Sequence, residues 1–122
     1  MADSQKLVVV ITAGMNDEKA SVAWSVANGG VASGLEVTVF LAGAGVDWAR
    51  KGAAEGARLN PFDPPMGDMV RSIMENGSGI VVCPPCAKVR GYEQDDFLGG
   101  VVLMGSKAIH DQIKQGAATL TF

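Results

Sequence analysis

Five short runs rich in β-branched residues punctuate this chain, and segments with helical periodicity separate them. The first four runs are mostly continuous apolar stretches, a pattern typical of strands that are covered on both faces. The predicted strands are Leu7–Thr12, Glu36–Leu41, Gly79–Cys83, Val101–Met104 and Ala118–Phe122. Strands that alternate with helices at this spacing require right-handed crossovers. We therefore predict an α/β fold, in which helices cover both faces of a mainly parallel sheet.

The clearest helical pattern lies between the first two strands. Apolar residues recur at the spacing of one helix face from Ala20 to Val31, and Gly34 follows as a stop signal. We predict Asn16 as the N-cap of this helix, with Asp17 and Glu18 in its first turn.

Two further helices are predicted with less extensive patterns. One begins near Asp68 and ends at Gly77, and the other begins at Ser106 and ends at Gly116. The residues expected to be buried are Met69, Val70, Ile73 and Met74 in the first of them, and Ile109 and Ile113 in the second. The stretch from Gly43 to Pro65 is too long for an ordinary connection, so we predict a short helix from Asp47 to about Lys51 followed by a functional loop.

Length and composition exclude several classes of protein. A chain of 122 residues buries about two-thirds of its unfolded surface in one core, so residues 1–122 are expected to form a single domain. The net charge of −3 and the lack of any basic run argue against electrostatic binding of nucleic acid. The sequence contains neither a signal-peptide pattern nor an apolar run of the roughly 20 residues that a transmembrane segment needs. These features predict a cytoplasmic protein.

The only two cysteines stand close together, in the sequence Cys83-Pro84-Pro85-Cys86. In a reducing compartment such a pair is more often catalytic or metal-binding than structural. The carboxyl ends of parallel strands collect ligand-binding and catalytic residues, and Cys83 is predicted to be the last residue of the third strand. Cys86 would lie in the first turn of a following helix, where thiolate is favoured, and Lys88 and Arg90 would add positive charge if they fold back.

Other interpretations of the same cysteines remain open. Both could be small buried hydrophobic residues. A thioredoxin-type dithiol also places Cys-x-x-Cys at a helix start, although the antiparallel hairpin typical of that fold is not predicted here. A zinc site needs four ligands, and His110 is the only histidine, so a Cys/His site would require a second subunit or carboxylates. We predict no metal and no cofactor.

The turn after the first strand is a weaker candidate for a binding pocket. It contains Gly14, Met15 and Asn16, but its single glycine does not make a phosphate-binding or dinucleotide-binding motif. Helix capping is the simpler explanation for these residues. Trp24, Trp48, Phe40 and Phe97 are expected in the core or in an interface, because no basic residues are interleaved with them.

Several segments together resemble the DsrE-like proteins, and the similarity covers almost the whole chain. They are Gly14–Ala20 at the first helix start, the strand Glu36–Leu41, the segment Cys83–Gly91 and the segment Asp95–Val101. In the sulfur-relay members of that family a cysteine that carries persulfide precedes a short helix and a glycine eight positions later. Cys83 matches that position, whereas Cys86 is an additional thiol found in some branches only.

The resemblance implies a three-layer α/β/α domain around a five-stranded, mostly parallel sheet, assembled as a trimer or hexamer of like or unlike chains. It also implies that sulfur is held as a cysteine persulfide and passed between donor and acceptor proteins. Our first hypothesis is therefore a sulfurtransferase-like carrier in which Cys83 bears the sulfur and Cys86 modifies it, with Lys88 and Arg90 stabilising the thiolate. The alternatives are a thiol–disulfide redox protein and a non-catalytic oligomeric binding module whose pocket uses the Gly43–Pro65 loop and the carboxyl ends of the strands.

Overall fold

A computed structural model describes residues 5–122, so the part of the signal-peptide argument that rests on residues 1–4 lies outside the described residues. Five parallel strands form one sheet in the order β4-β3-β2-β1-β5. The strands are β1 (Lys6–Ile11), β2 (Glu36–Leu41), β3 (Gly79–Val82), β4 (Val102–Leu103) and β5 (Ala118–Thr121). The predicted strands are all present, and no strand end differs from its prediction by more than one residue. The helices are α1 (Lys19–Ala32), α2 (Met66–Asn76), α3 (Pro84–Val89) and α4 (Lys107–Lys114).

The architecture is the predicted three-layer α/β fold. From β1 to β4 the chain advances across the sheet in one direction, and it then returns past β1 to place β5 at the opposite edge. Because parallel crossovers are right-handed, this reversal puts α4 on the face opposite α1 and α2. No helix within residues 5–122 combines the length and the apolar character needed to cross a membrane.

The main core lies between the sheet and the pair α1 and α2. Small residues at Ala20, Ala23, Ala27 and Gly30 let α1 approach the strands closely, and all four are buried. The side-chain amide of Asn28 donates to the carbonyl oxygens of Trp24 and Met69, which ties α1 to α2. Trp24 and Trp48 are fully buried and meet edge to face. Phe40 and Phe97 are buried as well, so the prediction that these four aromatic residues lie in the core or an interface is confirmed.

Several local predictions were wrong in detail. Asn16 is exposed and precedes the helix by more than two residues, whereas the carboxylate of Asp17 accepts the backbone N–H of Lys19 at 2.9 Å. The short helix expected at Asp47 is instead a 3-10 segment over Gly43–Ala49. Helix α2 begins two residues earlier than predicted, because Met66 is buried and Pro65 has the extended backbone of a helix start.

Helix α4 differs most from its prediction. None of its residues is buried, Ile109 is only half-buried, and Ile113 is 49% exposed. The neighbouring strand β5 is exposed along its whole length, and Val102 in the opposite edge strand β4 is 46% exposed. The apolar residues of α4 lie along one helix face as predicted, but the described part of the chain does not cover that face.

Candidate functional site

The two thiols lie at the carboxyl edge of the sheet. Strand β3 ends at Val82, one residue earlier than predicted, and Cys83 is the residue that joins it to α3. The backbone N–H of Cys83 still donates to the carbonyl oxygen of Leu41, the last residue of β2, at 2.9 Å. Cys83 is therefore held in line with the sheet although it no longer belongs to the strand.

Cys86 lies in the first turn of α3, as predicted. Pro84 and Pro85 occupy the first two helical positions. Backbone N–H groups there make no hydrogen bond within the helix, so the missing N–H of a proline costs nothing. The Sγ atoms of Cys83 and Cys86 are 2.8 Å apart, and both residues are half-buried free thiols. This separation is longer than a disulfide bond of about 2.0 Å, and the thiol of Cys86 donates to the Sγ atom of Cys83.

The two thiols differ in acidity. The hydrogen bond with Cys83 lowers the pKa of Cys86, and a hydrogen bond from the backbone N–H of Gly43 and the positive charge of Arg90 lower it further, against the effect of burial. Burial raises the pKa of Cys83, its side-chain hydrogen bond with Cys86 raises it too, and a hydrogen bond from the backbone N–H of Cys86 acts in the opposite direction. Each thiol of the pair therefore has a backbone N–H that favours its anionic form.

Gly43 reaches Cys86 because the segment after β2 is held tightly against β1. The φ angle of Gly43 is +55°, a conformation that glycine adopts readily. Two residues later, a Cβ atom placed on Gly45 would lie 2.1 Å from the carbonyl oxygen of Ile11. The indole Nε1 of Trp48 also donates to the carbonyl oxygen of Ala13 at 2.9 Å. These contacts fix the position of the Gly43 amide.

The predicted pocket residues Gly14, Met15 and Asn16 lie behind this segment. A Cβ atom on Gly14 would come within 3.0 Å of the Cβ of Ala44, so the turn after β1 packs next to the residue that follows Gly43. Met15 is half-buried against the core, and Asn16 is exposed. Of the three, Gly14 is the one that contacts the segment next to Gly43.

The two predicted cationic residues are placed differently. Arg90 donates from its Nη1 atom to the carbonyl oxygen of Cys86 at 3.1 Å, and its charge lowers the pKa of the Cys86 thiol. Lys88 is exposed in the last turn of α3 and, among the described residues, is not one of the groups that shift the pKa of either thiol.

A cluster around Tyr92 was missed by the sequence reasoning. The hydroxyl of Tyr92 donates to Asp47 at 2.6 Å, the guanidinium of Arg50 lies 4.5 Å from the centre of the Tyr92 ring, and Phe97 meets that ring edge to face. The cluster joins the chain after α3 to the segment that contains Gly43. The sequence offers one signal for this cluster, which is its single tyrosine. Asp47 lies 45 residues away from Tyr92, so no local pattern relates the two residues.

A large cleft in the described structure lies elsewhere. It has a volume of about 550 Å³ and is formed by residues of the segment 57–66, with neither cysteine in its wall. Phe62 is 96% exposed on the same loop. The loop and the strand ends therefore do not line one shared pocket. The cleft is formed by the loop, whereas the thiols lie at the ends of the strands.

Across residues 5–122, no three His, Cys, Asp or Glu side chains come together in a way that could hold a metal ion. His110 is exposed on α4, as expected for a histidine facing solvent.

The fold and the site define a small open α/β protein with a thiol pair at the carboxyl edge of a parallel sheet. A sequence profile of the DsrE/DsrF-like family matches residues 5–122. The chain therefore belongs to the DsrE/DsrF-like family, as the resemblance of its segments predicted.

Two relatives by sequence are uncharacterised proteins of archaea. An uncharacterised protein of Methanopyrus kandleri is 29% identical over 116 residues, which cover 94% of this chain and 91% of that protein. An uncharacterised protein of Methanocaldococcus jannaschii is 30% identical over 119 residues, covering 96% and 99% of the two chains.

Solved structures confirm the fold. The YchN protein of E. coli superimposes with a TM-score of 0.76 at 17% identity, covering 98% of this chain and all of that one. A protein of unknown function from Methanobacterium thermoautotrophicum superimposes with a TM-score of 0.72, with the same identity and coverage.

Proposed function

We propose that this protein carries sulfane sulfur as a persulfide on the Cys83–Cys86 pair and passes it from a donor protein to an acceptor protein. The observation that supports the proposal best is the pair of free thiols, 2.8 Å apart, at the carboxyl edge of the sheet in a DsrE/DsrF-like chain. A thiolate stabilised by a backbone amide and a nearby guanidinium is a good acceptor for sulfane sulfur. The proposal includes a reducing, cytoplasmic setting, in which the thiols stay free.

Intact-mass spectrometry after incubation with cysteine persulfide tests this function. A carrier gains about 32 Da, the mass of one sulfur atom, and the gain maps to the peptide that contains residues 83–86. The matched control is the double variant Cys83→Ser/Cys86→Ser, which keeps the size of both side chains. A chain that never gains the mass, or gains it equally in the double variant, contradicts the proposal.

Thiol–disulfide exchange is the second candidate function, and the same short distance between the sulfur atoms favours it. A redox protein of this kind would cycle between dithiol and disulfide without ever carrying extra sulfur. Mass spectrometry separates the two candidates, because a redox protein loses about 2 Da on oxidation by a small disulfide and gains no sulfur from the persulfide.

A non-catalytic binding module is favoured by a different observation, the cleft of about 550 Å³ in the segment 57–66. Its walls are independent of the thiols, so this role could also exist beside sulfur transfer. Met66 and Met69 are both buried, and Met66 also forms part of the wall of this cleft.

We further propose that the chain works as a homo-oligomer, in the trimeric or hexameric form typical of the family. The supporting observation is the uncovered apolar surface on α4 and on the edge strands, which includes Val102, Met104, Ile113 and Leu120, each between 43% and 49% exposed. Additional copies of this chain would cover this surface and complete the packing that the sequence predicted for α4.

A further inference from the structure

Two arginine side chains flank the thiol site without a carboxylate to neutralise them. Arg50 and Arg90 are both exposed, and neither takes part in a salt bridge within residues 5–122. We propose that these two guanidinium groups bind a carboxylate that lies beside the sulfur-bearing atom of the donor. This inference rests on the proposed function, and it names the chemical class of donor that the site selects.

Arg90 is held next to the thiols by the helix that carries them. Its Nη1 atom donates to the carbonyl oxygen of Cys86 at 3.1 Å, one helical turn earlier in the chain. A guanidinium has five N–H donors, and this bond uses one of them. Because the side chain is exposed, its other donors are available to a bound anion.

Arg50 comes from a different segment and is positioned by an aromatic ring. Its guanidinium lies 4.5 Å from the centre of the Tyr92 ring, and its backbone forms a bridge with Phe97. Stacking on a ring occupies the flat face of a guanidinium and leaves the N–H donors at its edge. The position of the Arg50 charge is therefore fixed, while its donors stay free for an anion.

Tyr92 brings the two guanidinium groups to one place. Its backbone N–H donates to the carbonyl oxygen of Ala87 at 3.0 Å, which folds the chain after α3 back against the helix. The hydrogen bond to Asp47 raises the pKa of the Tyr92 hydroxyl, whereas the positive charges of Arg50 and Arg90 both act to lower it. Two positive charges therefore stand together beside the helix that carries the thiols.

The carboxylates of the surrounding segments are engaged with other donors. Asp47 accepts the hydroxyl hydrogen of Tyr92 at 2.6 Å. Glu93 and Asp96 cap a 3-10 turn, in which the side chain of each accepts the backbone N–H of the other. Asp95 is exposed and forms no salt bridge in the described part of the chain. The two guanidinium groups are thus left for a carboxylate from outside the protein.

This contact would orient the donor for sulfur transfer. A thiolate of the pair attacks the outer sulfur of the donor persulfide R–S–SH, a new S–S bond forms, and R–S⁻ leaves with the electron pair of the broken S–S bond. Arginine binds carboxylates through charge-assisted hydrogen bonds, so a carboxylate close to the donor sulfur anchors R during this step. An acidic segment beside the cysteine of a donor protein and a small carboxylated persulfide share this chemistry.

Two alkylating reagents of similar size test the anion site without any sulfur transfer. Iodoacetate carries a carboxylate where iodoacetamide carries a neutral amide. The ratio of the iodoacetate rate to the iodoacetamide rate at the thiol pair should exceed that of free cysteine by about threefold at low salt, and this excess should disappear in about 1 M salt.

Variants separate the anion site from the acidity of the thiols. Arg50→Gln and Arg90→Gln should each lower the ratio about twofold, whereas Lys88→Gln, which removes an exposed charge from the same helix, should leave it unchanged. A change in the pKa of a thiol slows both reagents alike, so it leaves the ratio unaltered.

Donor selection is measured with the persulfides of two tripeptides, in which the cysteine stands between two aspartates or between two asparagines. The gain of about 32 Da should be about threefold faster from the acidic peptide, and this preference should be lost in Arg50→Gln and Arg90→Gln. Glutathione persulfide distinguishes the source of the carboxylate. Loading as fast as from the acidic peptide assigns the site to small persulfides, and slower loading assigns it to an acidic segment of a donor protein.

An alkylation ratio equal to that of free cysteine, with equal loading from the two peptides, would overturn the anion site and leave the proposed function intact. An equal loss of the ratio in Lys88→Gln would likewise overturn the assignment to Arg50 and Arg90. Failure to gain sulfur from any of the three donors would instead overturn the proposed function, and the alkylation ratio would be untouched by that result.

Discussion

Tyr92 donates its phenolic hydrogen to the carboxylate of Asp47 at 2.6 Å, and this bond connects the chain after α3 to the segment that supplies the Gly43 amide. The ring of Tyr92 is held from its two other sides by Arg50 and Phe97. The thiol pair therefore sits between two segments that are fastened to each other a few residues away from it.

Removal of the Tyr92 hydroxyl should weaken this connection. We expect Tyr92→Phe to lower the free energy of unfolding by about 1 kcal/mol, the usual net value of one hydrogen bond, because the ring contacts are kept. Chemical denaturation of Tyr92→Phe, Asp47→Ala and the double variant forms a double-mutant cycle that isolates the bond. Strictly additive single effects would show that the bond contributes nothing.

The same bond predicts a dependence on pH. The hydrogen bond to Asp47 is the largest cause that raises the pKa of Tyr92, so the folded state favours the protonated phenol. The contribution of this hydrogen bond to the free energy of unfolding is present in full below the ordinary tyrosine pKa of about 10. It is lost as the pH rises through the higher pKa that Tyr92 has in the folded state. The difference in melting temperature between the unaltered protein and Tyr92→Phe should be constant from pH 7 to 9 and should shrink above about pH 10. A difference that grows in that alkaline range would contradict the assignment.

Arg90 and Lys88 offer a matched pair of charges on one short helix. The charge of Arg90 lowers the pKa of Cys86, so Arg90→Gln should raise that pKa and slow alkylation of Cys86 near pH 7. Because the side chain is exposed, we expect a change of only about two- to threefold, which should diminish at high salt. Lys88→Gln removes the same charge two residues away and should leave the rate unchanged. Equal slowing in both variants would point to general surface charge rather than to the specific position of Arg90.

Gly45 is expected to tolerate no side chain. A Cβ atom there would lie 2.1 Å from the backbone oxygen of Ile11, which cannot move without displacing β1. We expect Gly45→Ala to cost about 3 kcal/mol or more in denaturant unfolding. Gly56→Ala is the control, because Gly56 also lies in a 3-10 segment but has nothing within 4 Å of its Cβ position. Its cost should stay within about 0.5 kcal/mol, and similar costs at the two sites would disprove the contact.

Two valines of similar exposure test the proposed oligomer. Val102 in β4 is 46% exposed and Val22 in α1 is 49% exposed, but only Val102 belongs to the surface assigned to the interface. A buried glutamate without a partner is costly, so Val102→Glu should shift the mass measured by light scattering toward that of a single chain. Val22→Glu should keep the mass of the unaltered protein. An unaltered protein that is already a monomer, or a Val102→Glu variant that keeps the full mass, would refute this interface.

Local sequence patterns determined the order of the elements along this chain. Short runs rich in β-branched residues predicted all five strands, and the position of Cys83 and Cys86 at the end of the third of them placed the thiols at the sheet edge. These features depend on neighbours within a few residues, where hydrophobic periodicity and the constraints of proline act directly.

The tertiary structure decided which parts of the chain surround those thiols. Gly43 meets Cys86 and Asp47 meets Tyr92 only because β2 and β3 are neighbours in the sheet, and no local pattern encodes a contact across about 40 residues. The exposure of α4 was decided in the same way, since an apolar stripe predicts burial but does not say whether this chain or another copy provides the cover. The sequence alone thus pointed to the two thiols as the candidate site, and the packing of distant segments gave them different surroundings.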